Sequence, residues 1–110
     1  MALNKKSEFS RKDQLVADFA KVLSHPARVA ILKVLAKKGV CICGEIVEVL
    51  PLAQSTVSQH LKEMKAAGII TGELEGTKSC YCIDWEVLNE AWTALQAMVQ
   101  DLNIARKNCC

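Results

Sequence analysis

Two short helical patterns separated by Pro51 constrain the fold of this chain more than any other feature of its sequence. The first pattern occupies residues 43–50 and stops before the proline, because the residue preceding a proline disfavours the helical conformation. The second occupies residues 54–67 and stops before Gly68, which can cap a helix. One apolar stripe runs along it, made of Val57, Leu61 and Met64. Two short helices a few residues apart, the second polar on its outer face, predict a helix-turn-helix.

The elements on either side predict a mostly α winged helix-turn-helix with a β-hairpin and about five helices. Residues 1–110 are short enough for a single domain, and no linker, repeat or low-complexity segment divides them. Two strand-like runs separated by Glu75-Gly76-Thr77 predict the hairpin, or wing. The predicted order is helix 1 at 8–24, helix 2 at 26–38, helix 3 at 43–50, the recognition helix at 54–67, the wing at 69–83, a C-terminal helix at 84–104 and a Cys-containing tail at 105–110.

The C-terminal helix carries an apolar seam at spacings of four, three, four and three residues. Its members are Leu88, Trp92, Leu95, Val99 and Leu102. A seam of this spacing on a terminal helix is typical of helix–helix packing. We therefore expect a homodimer that forms through the N- and C-terminal helices.

Charge and hydropathy exclude a membrane protein from consideration. The longest run without a formal charge has 13 residues, from Val49 to Leu61, whereas a transmembrane helix needs roughly 20 mostly apolar residues. The N-terminal residues also lack the apolar core of a secretory signal. We expect a cytoplasmic protein with no membrane partner. Its net charge of +2 allows a nucleic-acid partner without requiring one.

All six cysteines of the chain fall into close pairs, namely Cys41 with Cys43, Cys80 with Cys82, and Cys109 with Cys110. Cytoplasmic thiols are kept reduced, and a disulfide between such near neighbours would close a strained ring. We expect free thiols that act as metal ligands, as redox groups or as small core residues.

The order of helix, helix, helix-turn-helix, wing and helix resembles the ArsR/SmtB family of bacterial metal-sensing repressors, from about Leu15 to Leu102. The most specific stretch is QSTVSQHLKEMKAAGII at 54–70, which resembles the recognition helix and the start of the wing. The run from His25-Pro26 through Ile31-Leu32 resembles the signature of the second helix. The resemblance implies a repressor whose dimer binds double-stranded operator DNA and leaves it when a metal ion binds.

Cys41 and Cys43 stand where arsenic-, lead- and cadmium-responsive members of the family carry a Cys-x-Cys. The resemblance implies these two as the primary ligands of a soft ion, since such ions prefer thiolates. As(III) or a trivalent organoarsenical is the expected effector, with Cd(II), Pb(II) and Sb(III) as alternatives and no permanent cofactor. Many such members have a further cysteine where this chain has Ile46, so a third ligand has to come from elsewhere.

The other two cysteine pairs are candidates for additional ligands. Cys109 and Cys110 end a basic tail and could supply the missing thiol, in the same subunit or across a dimer. Cys80 and Cys82 alternate with Tyr81, so they face one side of a strand. They form either a second dithiol site or the buried face of the wing, and the sequence does not decide between these. The last helix contains no histidine, which argues against a zinc site there.

The predicted contacts to DNA come from the polar face of the recognition helix and from nearby lysines. Hydroxyl, amide and imidazole groups suit phosphates and base edges, and lysines suit phosphates. The candidates are Gln54, Ser55, Thr56, Ser58, Gln59, His60, Lys62 and Lys78. An alternative places His60 as a structural side chain at the joint of the helix-turn-helix. His25 is expected at a helix junction rather than as a ligand.

Two other functions fit the same sequence. A repressor on the same fold could sense oxidants or persulfides through disulfide formation among the cysteine pairs. A small metal-shuttling thiol protein or a thiol enzyme ranks lower, because the chain has no CxxC motif and no recognisable set of nucleophile, base and orienting group. We therefore expect no enzymatic activity.

Overall fold

The computed structural model describes residues 6–38, 42–43, 50–75 and 78–106. This part of the chain is mostly helical with a small antiparallel sheet, as the sequence predicts. The elements are a 3-10 turn Lys6–Glu8, α1 Arg11–Val22, α2 Pro26–Lys38, β1 Ile42–Cys43, α3 Gln54–Ala66, β2 Ile70–Glu75, β3 Lys78–Ile83 and α4 Trp85–Ala105.

Local capping residues explain where the helices begin. The side chain of Ser10 accepts a hydrogen bond from the Asp13 amide at 3.1 Å, so α1 begins at Arg11 and not at the predicted residue 8. The Asp84 side chain accepts from the Val87 amide at the same distance and caps α4. The helix α2 has the predicted bounds, and α3 ends one residue earlier than predicted.

The prediction of a helix over 43–50 is wrong at its first and its last residue. Cys43 belongs to the short strand β1, and Leu50 lies in a non-helical bend; residues 44–49 lie outside the described residues. The strand exists because it pairs with β3, which sets Ile42 opposite Tyr81. Pairing with a distant strand overrides local preference in short segments such as this one.

The wing is therefore part of a three-stranded sheet in the order β1–β3–β2. β2 and β3 pair antiparallel from Ile70 opposite Ile83 to Glu75 opposite Lys78. The predicted hairpin is confirmed in its strands, while its turn at 76–77 lies outside the described residues. β2 begins shortly after α3, so the sheet is attached to the C-terminal end of the recognition helix.

The core lies where α1, α2, α3 and the sheet meet. Each of these elements, or the turn next to it, contributes fully buried side chains: Val22, Ile31, Val57, Met64, Ile69 and Ile70. The predicted stripe of Val57, Leu61 and Met64 is confirmed as the buried face of α3. This burial fixes which side of the recognition helix faces solvent.

The long helix α4 packs against α1 and leaves much of its apolar seam exposed. Ala91 and Ala94 are buried, whereas Trp92, Val99 and Leu102 are 51%, 44% and 61% exposed. The single subunit thus offers an apolar helix face to a partner. In the described part of the chain, no helix combines the length and the apolar character needed to cross a membrane.

Candidate nucleic-acid interface and cysteine site

The outer face of α3 is polar and open to solvent. Its exposed predicted contact residues are Gln54, Ser55, Thr56, Ser58, Gln59 and Lys62. The residue before the helix is Ala53, whose side chain makes no capping hydrogen bond, so the first amides of α3 have no side-chain cap. Amides at a helix N-terminus and hydroxyl groups are suitable donors to phosphates, and glutamine can read an adenine edge. Lys78 begins β3 at the far end of the wing.

A buried arginine fixes this helix against the rest of the domain. Arg28 on α2 is 7% exposed. Its Nε donates to Nδ1 of His60 at 3.0 Å, and its Nη1 donates to the Lys21 carbonyl oxygen at 2.7 Å. Its Nη2 donates to the Glu63 carboxylate in an ion pair. One guanidinium therefore joins the C-terminal end of α1, the start of α2 and the middle of α3.

The two histidines lie at this joint. His25 Nδ1 accepts from the Ala27 amide at 2.9 Å, so His25 is the helix-junction residue that the sequence predicts. Its ring lies 4.7 Å from that of His60, centroid to centroid. Because Nδ1 of His60 is occupied by Arg28, this residue can reach DNA only through Nε2. The geometry favours the structural alternative for His60.

The site contains two residues that sequence reasoning does not single out for it, Arg28 and Glu63. Arg28 lies within the stretch that resembles a helix signature, and Glu63 lies within the recognition stretch. A signal exists for Arg28, since it stands between Ala27 and Val29 in an otherwise apolar helical turn. A charged residue in such a turn is seldom buried without a partner. The identity of the partner depends on the packing of α2 against α3.

Acidic pH is expected to destabilise the protein through His60. Burial lowers the pKa of His60 below its ordinary value of 6.5, and the positive charges of His25 and Arg28 lower it further against the opposing effect of Glu63. The unfolded chain therefore binds a proton more readily than the folded one. The stabilisation is complete above about pH 6.5 and is lost as the pH falls through the lower folded-state pKa.

Thermal denaturation from about pH 8 to about pH 5 measures this effect against the variant His60→Asn. Asparagine offers Arg28 an acceptor near the position of Nδ1 but does not titrate. We expect the melting temperature of the variant to fall less than that of the wild type over this range. Parallel curves for the two proteins would show that the titration of His60 does not contribute to stability.

Cys80 and Cys82 lie half-buried on β3, on either side of Tyr81. Tyr81 is 8% exposed and packs into the core, so alternation along the strand turns the two cysteines to the opposite face. Both are disulfide-bonded, and the expectation of free thiols is wrong for them. That expectation considers only bonds within a close pair. The sheet additionally brings β1 beside β3, with Cys43 opposite Cys80.

Of the other four cysteines, Cys43 belongs to β1, whereas Cys41, Cys109 and Cys110 lie outside the described residues. Among the side chains that the structure describes, no group of three or more His, Cys, Asp or Glu could hold a metal ion. The observed juxtaposition is therefore that of β1 and β3, which places the backbone of Cys43 opposite that of Cys80.

Comparison with known proteins agrees with this architecture. Residues 25–71 match the family model described as "Bacterial regulatory protein, arsR family". An uncharacterized HTH-type transcriptional regulator of Methanocaldococcus jannaschii is 40% identical over 73 residues, which cover 66% of this chain and 81% of that protein. The arsenical resistance operon repressor of Bacillus subtilis is 35% identical over 85 residues, which cover 76% of this chain and 77% of that protein.

A solved structure supports the fold. The NMR structure of a homodimeric winged helix-turn-helix DNA-binding domain from Mycobacterium bovis has a TM-score of 0.56 and 24% identity, and the match covers 100% of this chain and 98% of that one. At this identity the likeness shows the fold alone. Together with the family match and the curated relatives, it leads to one conclusion. The chain belongs to the ArsR/SmtB family and is a winged helix-turn-helix transcriptional regulator that binds DNA.

Proposed function

We propose that the chain is a homodimeric repressor that binds operator DNA when free and releases it when As(III), a trivalent organoarsenical or another thiophilic ion binds cysteine thiolates. The observation that carries the proposal is the pairing of β1, which precedes the recognition helix, with β3, which follows it; this pairing places Cys43 opposite Cys80. Cysteine sulfur is the donor that soft ions prefer. The similarity to an arsenical resistance repressor over 77% of its length supports the same effector class.

A homodimer suits both the DNA and the shape of the subunit. Two recognition helices of a dimer enter adjacent major grooves about 34 Å apart, and the operator repeats the two-fold symmetry of the protein. The exposed side chains of Trp92, Val99 and Leu102 on α4 offer an apolar seam for the second subunit. A symmetric interface of this kind uses the same face of both subunits.

The polar face of α3 carries the proposed sequence readout, and lysines beside it carry the proposed phosphate contacts. We expect Gln59→Ala to weaken binding to the operator by about 1–3 kcal/mol while binding to random DNA changes little. We expect Lys62→Ala to weaken both. It should also reduce the slope of log affinity against log salt by about one for each phosphate that the protein no longer neutralises.

Fluorescence anisotropy measures both effects on an operator selected from random duplexes by the wild-type protein. Lys33→Ala is the matched control, because Lys33 is an exposed lysine on α2, outside the recognition helix. We expect this control to bind like the wild type. An equal reduction in affinity for Lys33→Ala and Lys62→Ala would contradict the placement of the interface on α3.

The cysteines of residues 41–43 are the proposed trigger. Without arsenite, we expect Cys41→Ser/Cys43→Ser to bind the operator as tightly as the wild type, because neither residue is proposed to contact DNA. With arsenite, we expect the wild type to lose about 5–150-fold in affinity, the usual range of allosteric coupling, and the variant to lose none. Anisotropy titrations under reducing conditions check both expectations. A variant that still leaves the operator on addition of arsenite would exclude these cysteines as the trigger.

A redox-responsive repressor is the second candidate, because Cys80 and Cys82 are disulfide-bonded. Hydrogen peroxide would convert two thiols to one disulfide and two molecules of water. The same anisotropy assay separates the two candidates. Release by peroxide with no response to arsenite would favour the redox function, and the opposite pattern would favour the metalloid function.

A further inference from the structure

The recognition helix α3 has a flank between its buried stripe and its polar outer face. This flank consists of the residues that directly precede those of the buried stripe in the chain, namely Thr56, His60 and Glu63. An α-helix with its side chains is about 10–12 Å wide, and the major groove of B-DNA is about 12 Å wide. A recognition helix therefore fills the groove, and its flanks face the phosphate backbones that form the groove walls.

His25 lies against this flank from outside the helix. Its ring contacts the ring of His60, with 4.7 Å between the centroids and 46° between the planes. His25 is exposed to solvent, whereas His60 is half-buried. It stands at the junction of α1 and α2, directly before Pro26. With α3 in a major groove, His25 is beside a groove wall, where the groups to bind are backbone phosphates.

Hydrogen bonds fix which ring nitrogen of His25 carries the proton. Its Nδ1 accepts from the Ala27 amide at 2.9 Å, and a backbone amide can only donate. The neutral ring therefore carries its hydrogen on Nε2. His60 has the same tautomer, because its Nδ1 accepts from Arg28. Among the hydrogen bonds of the described residues, none engages the Nε2–H of His25, and the exposed ring leaves this donor accessible.

The first amides of α2 are engaged and cannot replace this donor. Pro26 has no amide hydrogen, and the Ala27 amide bonds the His25 ring. The amides of Arg28 and Val29 bond the His25 carbonyl oxygen at 2.9 and 3.3 Å. A phosphate at this corner of the domain therefore meets the imidazole of His25 and not the start of a helix.

The charges around His25 allow an anion to approach. The Glu63 carboxylate is paired with the guanidinium of Arg28, which offsets its repulsion of a phosphate. Lys21 is an exposed residue in the last turn of α1, and its carbonyl oxygen accepts from both Ser24 and Arg28. Its ammonium group adds positive charge to the same region, which favours a phosphate further.

We infer that His25 donates a hydrogen bond from Nε2 to a phosphate of the DNA backbone, at the edge of the major groove that α3 enters. His60 holds the His25 ring in place and is a positioning residue. The inference rests on the proposed DNA interface on α3 and adds to it a residue of the α1–α2 junction. A bond to a phosphodiester places the domain on the duplex but reads no base.

Two substitutions of His25 separate a phosphate contact from a capping role. Asparagine keeps an acceptor near Nδ1 and is a preferred residue before a helix, but it has no group near Nε2. Glutamine is longer and can place an amide donor near Nε2, but it is not among the residues preferred before a helix. A phosphate contact predicts weaker DNA binding for His25→Asn, whereas a capping role alone predicts a defect only in His25→Gln.

Fluorescence anisotropy at about pH 7.5 measures the binding of each full-length variant to the operator and to a random duplex. We expect the Kd of His25→Asn to rise by about tenfold on both, because a hydrogen bond to a charged group is lost. We expect His25→Gln to stay within about threefold of the wild type. A neutral imidazole releases no counterion, so the salt dependence of His25→Asn should equal that of the wild type, unlike that of Lys62→Ala.

Ser24→Ala is the matched control at the same junction. Ser24 is exposed like His25, but its hydroxyl hydrogen is donated to the Lys21 carbonyl oxygen at 2.7 Å. We expect this variant to bind both duplexes like the wild type, and thermal denaturation shows that each variant is folded. His25→Asn binding as tightly as the wild type, or an equal loss of affinity in Ser24→Ala, would overturn the inference.

A second measurement identifies the phosphate itself. Operators in which one phosphate at a time is replaced by a neutral methylphosphonate are bound to the wild type and to His25→Asn. We expect one position in each half-site where the wild type loses affinity and His25→Asn loses no more, because the two changes remove the same contact. Equal losses for the two proteins at every position would overturn the inference, even if His25→Asn binds weakly.

The outcomes also separate this inference from the proposed function. A position-specific effect of His25→Asn, with an operator affinity that arsenite does not change, would support the phosphate contact and contradict the proposed effector. Release by arsenite, with His25→Asn binding like the wild type, would do the reverse. A wild type that binds no duplex would overturn both.

Discussion

Replacing Arg28 by alanine is expected to lower the free energy of unfolding by about 3 kcal/mol. Arg28 is 7% exposed and makes three hydrogen bonds, one of them within an ion pair to Glu63. Breaking a buried ion pair typically costs about 3–5 kcal/mol because its partner is left uncompensated. The Glu63 side chain is 37% exposed and can be hydrated when Arg28 is removed, which places the expected destabilisation near the lower limit.

Another ion pair between two of the described elements, α1 and α4, provides the matched control. Arg11 bonds Glu90 at 3.3 Å, but the two side chains are 75% and 44% exposed. Exposed pairs contribute little, so Arg11→Ala is expected to cost less than about 1 kcal/mol. Arg28→Lys keeps the charge but cannot serve three acceptors from one planar group, so we expect an intermediate destabilisation.

Urea denaturation at about pH 7.5, where His60 is neutral, measures all three variants. Because Arg28 also holds α3 in place, Arg28→Ala is expected to bind the operator more weakly at temperatures where it remains folded. Equal destabilisation by Arg28→Ala and Arg11→Ala would show that burial adds nothing to the Arg28 contacts. Arg28 would then not be the residue that holds the helix-turn-helix joint together.

Gly72→Ala is expected to cost about 2–3 kcal/mol, or to separate the wing strands locally, because the sheet leaves no room for a Cβ atom. Gly72 lies on β2 directly opposite Tyr81. An added Cβ would overlap the Tyr81 ring and would lie 2.5 Å from the Cys80 carbonyl oxygen. The carbonyl belongs to a paired strand and the ring is packed in the core, so neither group can move freely.

Gly68 gives a contrasting control for this prediction. Its φ of 86° favours glycine, but among the described residues a Cβ there would meet Val87 alone, at an ordinary 3.9 Å. Gly68→Asn is expected to cost less than about 1 kcal/mol, since asparagine tolerates this backbone region. Urea denaturation and the NMR chemical shifts of the strands measure both variants. A Gly72→Ala protein as stable as Gly68→Asn would contradict the tight approach of β2 to Tyr81.

Much of the fold could be predicted because its signals are local. The bounds of α2 follow from Pro26 and an apolar helical run, and α4 begins at Trp85, directly after the capping residue Asp84. The polar face of α3 is readable from the spacing of its buried stripe. In each of these elements, nearby residues determine both the conformation and the buried face.

The parts that could not be predicted depend on contacts between distant residues. The two-residue strand β1 forms only because β3 lies beside it, whereas the local pattern around Cys43 indicates the start of a helix. The bonding of Cys80 and Cys82 likewise depends on which segments the fold brings together. The role of His60 depends on Arg28, which is 32 residues away in the chain and reaches it through helix packing.

In the proposed mechanism, one small domain couples a thiol site to operator binding. The most direct test is the anisotropy of the labelled operator with the reduced wild-type protein, titrated in the absence and presence of arsenite. We expect tight, salt-dependent binding without arsenite and a loss of about 5–150-fold in affinity with it. An operator affinity that stays the same in both titrations would contradict the proposed coupling.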